Sequence, residues 1–443
     1  VKPIEPVFLD YQKDMSQLKA KSDIPILYKQ NVANDLFQLI YVFDMGNNHD
    51  KALGTAFDYL EYLGTSDMTP EELKSEFYRL ACTFYVSPGN ERTYVVLSGL
   101  NENMPAAVQL FEKLLADAQV NKEAYTNMTS DILKARSDAK LNQGQNFSRL
   151  MSFAMYGPKS PATNLLTEAE LTNMNPQELV DRIHNQNSYK HRILYYGPSS
   201  SKDLLATINQ YHQVPAALKD IPAGNEYSYL ETPVTKVLVA PYDAKQIYMA
   251  QISNLDKKYD PAIEPIRALY DEYFGGGMNS IVFQEMRETR GLAYSAWASI
   301  MPPSYLKYPY VLRTQIATQN DKMIDAVTTF NDIINNMPES EAAFKLAKDG
   351  LTNRLRTERI IKGDIIWSYI NAQDLGQNVD PRIKLYNDIQ NMSLKDIVDF
   401  QKQWVKGRTY VYCILGDKKD LELDKLKAVG PIEELTQEQI FGY

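Results

Sequence analysis

Apolar and polar positions along this chain follow two different periods. Between Leu36 and Phe43, aromatic and β-branched side chains crowd into one short run, the composition of a buried strand, and Arg92–Ser98 reads the same way. Residues 104–118 change to a spacing of three and four. Ala107, Val108, Phe111, Leu114 and Leu115 then fall on one stripe, which predicts a helix. The alternation returns later, with strands predicted at 236–241, 246–253 and 309–317 and helices at 321–336 and 340–358. Strands with close strand neighbours, interleaved with helices, predict an α+β fold of mostly antiparallel sheets rather than a doubly wound parallel one.

The return is a repeat. Residues 173–181 (NMNPQELVD) match 391–399 (NMSLKDIVD) at an offset of 218, and each is followed by an apolar run that closes on a glycine, Gly197 and Gly416. Ala107, Val108 and Phe111 match Ala326, Val327 and Phe330 at 219, and Tyr62 to Gly64 matches Tyr273 to Gly275 at 211. Four weak matches in one order at nearly one offset predict two homologous domains in tandem. The break falls near 213–232, where Pro215, Pro222 and Gly224 sit in polar sequence, so the domains are placed at 1–213 and 214–443.

Composition narrows the function classes. Against 47 Lys and Arg stand 56 Asp and Glu, a net charge of −9 without a basic stripe, which argues against a nucleic-acid partner. No apolar run is long enough to cross a bilayer, so no membrane partner is expected. The start, Val1 to Pro6, has neither an initiator Met nor an apolar leader core and is read as a processing site or fragment boundary, which leaves cytoplasm and periplasm both open for a soluble protein. Cys82 and Cys413 sit in apolar segments and are read as buried small hydrophobes. Four histidines, His49, His184, His191 and His212, show no spacing of three or four, so no pair shares a helix face as in a zinc hydrolase; they are expected at the surface or in hydrogen bonds.

The most informative stretch runs from Tyr273 to Ser295. It opens with Gly275, Gly276 and Gly277, which allow a sharp turn or a close approach. A helix carrying Ile281, Val282, Glu285 and Met286 follows and stops at Arg290 and Gly291, and a strand is entered through Leu292 to Ser295. Arg287 and Tyr294 therefore bracket a helix-to-strand corner and could share one cleft. On chemistry alone a plainer reading stands beside this one: the glycines serve the turn, Arg287 pairs with a carboxylate, and Tyr294 packs.

This segment, with Phe283, Gln284, Glu285 and Arg287 followed by Gly291, Leu292, Ala293, Tyr294 and Ser295, resembles the second half of the M16 zinc metallopeptidases, the family of pitrilysin, insulin-degrading enzyme and the mitochondrial processing peptidases. The resemblance implies two M16-type domains, forming one half of a clamshell that encloses an extended peptide. It also implies that Arg287 and Tyr294 reach in trans to the zinc site of the opposite half, where they bind the substrate backbone and stabilise the oxyanion, with Gly275, Gly276 and Gly277 beside the substrate.

The family's catalytic half carries His-x-x-Glu-His and a distal glutamate. At the matching helix this chain has Asp58 and Tyr62 where the histidines would stand, Glu61 at the position of the general base, and Lys134 near the distal glutamate. Gly64, Thr65, Thr69, Pro70, Glu71 and Glu72 anchor that alignment. The expectation is a chain with no metal site and no activity of its own. Zinc would belong to a partner half bearing the histidine motif, in the same polypeptide or a separate subunit, and the substrate would be an extended peptide or unfolded polypeptide. An inactive binding or scaffold protein of the same fold is the alternative, and a hydrolase built on Asp58, Glu61 and a remote ligand is the least favoured, because carboxylates suit Mg²⁺ or Ca²⁺ better than hydrolytic zinc.

Overall fold

The computed structural model describes residues 4–443, so the reading placed on the first three residues lies outside it. Two six-stranded mixed sheets organise the chain. The first contains β1 (Ser16–Lys19), β2 (Pro25–Gln30), β3 (Leu36–Phe43), β4 (Cys82–Pro88), β5 (Thr93–Leu100) and β6 (Arg192–Gly197) in the order β1-β2-β6-β3-β5-β4. The second contains β7 (Lys236–Pro241), β8 (Gln246–Asn254), β9 (Ser295–Met301), β10 (Val311–Gln319), β11 (Val411–Gly416) and β12 (Ile432–Glu434) in the order β12-β7-β11-β8-β10-β9. From the second strand onward the two orders are the same, and so are the directions. β2 pairs parallel with β6 as β7 does with β11, while every other matching pair is antiparallel. Tyr41 lies opposite Ile193 in one sheet and Gln251 opposite Tyr412 in the other, which puts the offset of 219 read in the sequence onto matching positions of β6 and β11. The fold is α+β, with two similarly wound domains in tandem.

Each sheet buries one face under helices of its own domain. Phe37, Leu39, Tyr41 and Phe43 from β3 meet Phe57, Leu60, Val108 and Phe111 in the first core, and Val239, Met249, Leu312 and Ile414 meet Leu269, Phe274, Val327 and Phe330 in the second. The other face is covered by the opposite domain. Ile40, Val42, Val96 and Leu194 pack against Ile365, Ile366, Tyr369 and Ile370 of the helix Asp364–Asp374, while Leu238, Ala250, Ile252 and Cys413 pack against Phe147, Leu150 and Ala154 of the helix Gln143–Tyr156. A sheet apolar on both faces needs two layers of cover. Here each domain lends the second layer to its neighbour. Arg92 reinforces the exchange by bonding Asp44 at 2.6 Å on its own side and Asp374 at 2.5 and 2.7 Å on the other.

Residues 213–235 between the domains contain no helix or named strand. Both cysteines are buried and free, as their apolar surroundings predict. No helix among the described residues is long and apolar enough to cross a membrane.

Candidate functional site

The motif helix, Leu53–Leu60, turns Leu53, Ala56, Phe57, Tyr59 and Leu60 into the first core. Periodicity then forces Asp58, Glu61 and Tyr62 outward, and all three are exposed. Partial burial, with Glu61 close by, raises the Asp58 carboxyl above its usual value. Tyr59 holds the helix down: its hydroxyl donates to Asn121 O at 2.6 Å and accepts from Asn121 N at 2.8 Å. Thr69 caps the next helix, Pro70–Arg79, in a reciprocal box with Glu72.

Lys134 points to solvent, where it pairs with Asp138 at 2.6 Å. The inward side of its helix, Lys122–Lys140, carries Tyr125 and Met128 buried, with Ile132 and Leu133 half-buried against the core. Zinc as the family binds it does not fit these residues, since an aspartate and a phenol replace two neutral imidazoles and a lysine takes the third place. Among the described residues no three His, Cys, Asp or Glu side chains converge as a metal-ligand set.

Instead of a metal cage, the motif borders a cavity of about 730 Å³ between the motif helix, the helix Pro70–Arg79 and the edge strand β4. Leu63, Leu73, Phe77 and Phe84 make its apolar wall, and Glu61, Tyr62, Lys74 and Tyr78 stand at it. Tyr78, at the rim, is 87% exposed. The sequence signal for it was available: Tyr78 follows Phe77 on a helix whose stripe needs only one of them inside.

The second constellation sits at the matching corner of the second domain. The helix Glu264–Phe274 ends where Asp271 O accepts from Gly275 N at 3.1 Å and Gly276 N at 2.7 Å. Gly275 lies directly against β9, where a Cβ would overlap the backbone of Ala298; Gly277 faces open space. Gly275→Ala is therefore expected to destabilise the chain by about 1–3 kcal/mol, the usual range for overpacking, while Gly277→Ala should stay within about 0.5 kcal/mol; denaturant midpoints of the two variants check this. Asp271 also fixes β9, accepting from Ser299 Oγ at 2.8 Å and Ile300 N at 3.0 Å, and burial pushes its carboxyl up to about 6.

Beyond the glycines, Ser280 caps a helical turn at Ile281–Phe283 that widens into a π-helix at Gln284–Thr289. Single π turns of this kind are frequent at functional sites. Leu292 N reaches back to Met286 O at 2.8 Å, Gly291 takes a positive φ of 58°, and the strand begins at Ser295 rather than Leu292. The structure brings Arg287 and Tyr294 together. The Arg287 guanidinium lies 5.6 Å from the Tyr294 ring centroid and 5.2 Å from that of Phe283, a cation held between two π faces. Its nearest carboxylate is Glu288 at 3.7 Å. Tyr294 is 70% exposed, and its backbone is anchored by Tyr294 N donating to Ala317 O at 2.9 Å. The packed-tyrosine reading therefore fails for its side chain. Phe283 was missed in the sequence, although its spacing of four from Arg287 on a helix pointed to it.

Residues 193–351 match the family model described as the M16 peptidase inactive domain. A Helicobacter pylori protein described as the non-peptidase homolog YmxG is 23% identical over 422 residues, covering 90% of this chain and 93% of that protein. A crystal structure of an M16 inactive domain from Pseudomonas fluorescens superposes with a TM-score of 0.70 at 15% identity, over 91% of this chain and 98% of that one. The ferredoxin protease FusC, solved in complex with Arabidopsis ferredoxin, gives a TM-score of 0.68 at 11% identity over 94% of this chain, which spans 48% of that protease. The resemblance to the M16 family read from the Tyr273–Ser295 segment holds.

Proposed function

We propose that this chain, M16-like in fold over nearly its whole length, is a non-catalytic half or subunit of a zinc endopeptidase. It closes the peptide chamber and presents Arg287 and Tyr294 to a substrate held at the zinc of a partner half bearing His-x-x-Glu-His. The observation that carries the reading is the Arg287–Tyr294 stack, exposed and cationic, in a chain whose motif helix carries Asp58 and leads to Tyr62 with no imidazole. A guanidinium aimed outward beside a phenol is a donor pair suited to a developing oxyanion. The substrate class is extended or unfolded polypeptide, the kind of chain an enclosed chamber admits.

A second reading, a binding or scaffold protein that kept the fold without the chemistry, is favoured by one relative's description as a non-peptidase homolog and by the apolar cavity bordering Glu61 and Tyr62. In that reading the cavity takes an apolar side chain of the bound polypeptide.

Hydrolysis of an unstructured, internally quenched fluorescent peptide separates the two. The chain alone, with zinc and with or without chelator, is expected to be silent, and to become active when a partner half bearing the histidine motif is added. Silence under both conditions, with saturable binding of the same peptide, selects the scaffold. Chelator-sensitive cleavage by the purified chain alone would overturn both.

A further inference from the structure

The first domain contains a buried ionisable chain that the proposed chemistry does not use. Glu112, on the helix Met104–Asp117, is 1% exposed; His212, which ends the helix Ser201–Tyr211, is fully buried, and His191, just before β6, is 7% exposed. His191 Nδ1 lies 2.7 Å from Tyr189 O, His191 Nε2 lies 2.8 Å from His212 Nε2, and His212 Nδ1 bonds Glu112 Oε1. Glu112 is also reached by Tyr41 Oη from β3 at 2.8 Å, Asn187 Nδ2 at 3.0 Å and Gln213 N at 3.2 Å. Ring packing closes the site, with Tyr41 at 4.3 Å from His212 and Phe43 at 4.6 Å from His191, centroid to centroid.

The protons can be counted. A carbonyl oxygen only accepts, so Tyr189 O fixes a hydrogen on His191 Nδ1. One hydrogen lies between the two Nε2 atoms, and one lies on His212 Nδ1 facing Glu112, whose oxygens are occupied as acceptors. Three N–H hydrogens are one more than two neutral imidazoles carry. The extra proton makes an imidazolium of His212 against the Glu112 carboxylate and leaves His191 neutral. A further proton has only the shared Nε2···Nε2 position to enter, where it would set N–H against N–H and bury a second cation beside the first.

We propose that this Glu112–His212–His191 chain is an acid-released latch that ties the interdomain linker to the first domain. Gln213, the first linker residue, bonds Glu112 directly, and the linker then runs along the loop that carries His191: Lys190 N donates to Lys219 O at 2.9 Å and Lys219 N to Ser188 O at 2.8 Å. The other charges along that loop are the Lys190–Asp220 ion pair at the surface and Arg192, which follows His191 at the start of β6. Burial, and then the charge of His212, hold His191 far below an ordinary histidine, at about 3. Only the opened state can take the proton, so the contribution of His191 to the latch is whole above the ordinary histidine value of 6.5 and is lost as pH falls from there toward about 3.

The second domain supplies an internal control. At the position matching Glu112 stands Asn331, and at that matching Tyr41 stands Gln251. Gln251 Nε2 bonds Asn331 Oδ1 at 2.7 Å, Thr314 Oγ1 bonds Gln251 Oε1 at 2.8 Å, and Asn331 Nδ2 bonds Tyr412 Oη at 2.8 Å. Amides and hydroxyls do this work without a group that titrates between pH 4 and 8. Acid should therefore loosen one copy and spare the other.

Hydrogen exchange of the full chain from pH 7.5 to 4, corrected for intrinsic rate and read by mass spectrometry, tests this. Protection of 201–220 is expected to fall below pH 6 by up to about tenfold per pH unit, the limit for one proton, while 323–335 keeps its protection. Parallel loss in both segments, or full protection of 201–220 down to pH 4, would overturn the latch. Nitrogen-15 histidine spectra of the wild-type chain at pH 7 should show one buried imidazolium and one neutral ring protonated on Nδ1, and two neutral rings would sink the proton count. His191→Gln, which keeps a donor and an acceptor but does not titrate, should flatten the acid step; an unchanged step in that variant also rejects the proposal.

Discussion

In a complex reconstituted with a histidine-motif half, Arg287→Ala is expected to lower kcat for an unstructured peptide by about 10²–10³, the usual cost of one lost oxyanion donor, with KM changed far less. Arg287 is exposed enough that its removal leaves no buried partner unpaired, so the melting temperature should stay near wild type. Tyr294→Phe removes the hydroxyl but keeps the ring under the guanidinium, and a similar fall in kcat would give the phenol its own role. Phe283→Leu takes away only one face of the stack. An exposed cation–π contact is worth about 0.5–1 kcal/mol, so the loss should be about two- to fivefold. Wild-type kcat in the Arg287 and Tyr294 variants would return both residues to plain surface packing and favour the scaffold.

The largest stability change is expected from Arg92→Ala. The Arg92 and Asp374 side chains are 10% and 14% exposed and meet through two parallel bonds across the domain boundary. Removing the guanidinium strands a buried carboxylate, which costs about 3–5 kcal/mol. Asp44, the other partner, is 63% exposed and should matter little. Replacing both buried members, Arg92→Met with Asp374→Leu, should recover most of the loss, because apolar residues of similar volume often serve as well as a buried pair. Denaturant midpoints of the two singles and the double decide it, and a double variant as unstable as Arg92→Ala would mean that the cost lies in packing against Tyr305, whose ring centroid is 5.4 Å away.

Local pattern carried much of the fold. The strand read at 36–43 forms at Leu36–Phe43, the helix read at 104–118 forms at Met104–Asp117, and the helix read at 340–358 forms at Glu341–Thr357, because each shows its period within its own residues. The repeat was legible for the same reason. What covers the far face of each sheet was not: the helices Gln143–Tyr156 and Asp364–Asp374 are amphipathic on their own terms, and nothing in either spells out that its apolar side belongs to the other domain. At the candidate site the sequence brought Arg287 and Tyr294 to one corner, but not the π turn that stacks them with Phe283. Nor did spacing hint at His191 and His212, which stand 21 residues apart on either side of β6 and a helix and meet only in the folded core.

The reciprocal loan of helices bears on how such a chain could have arisen. A single copy of this unit, alone, would leave one apolar face of its sheet wet, since the helix that leaves each domain reaches over its neighbour. It could bury both faces only by pairing with an identical twin, each donating that helix to the other. Duplication and fusion would then lock that pair into one polypeptide, held at fixed stoichiometry, and free the two copies to diverge. One carries a tyrosine and an arginine at its corner, the other an aspartate and a tyrosine at its motif helix, and neither has to match itself.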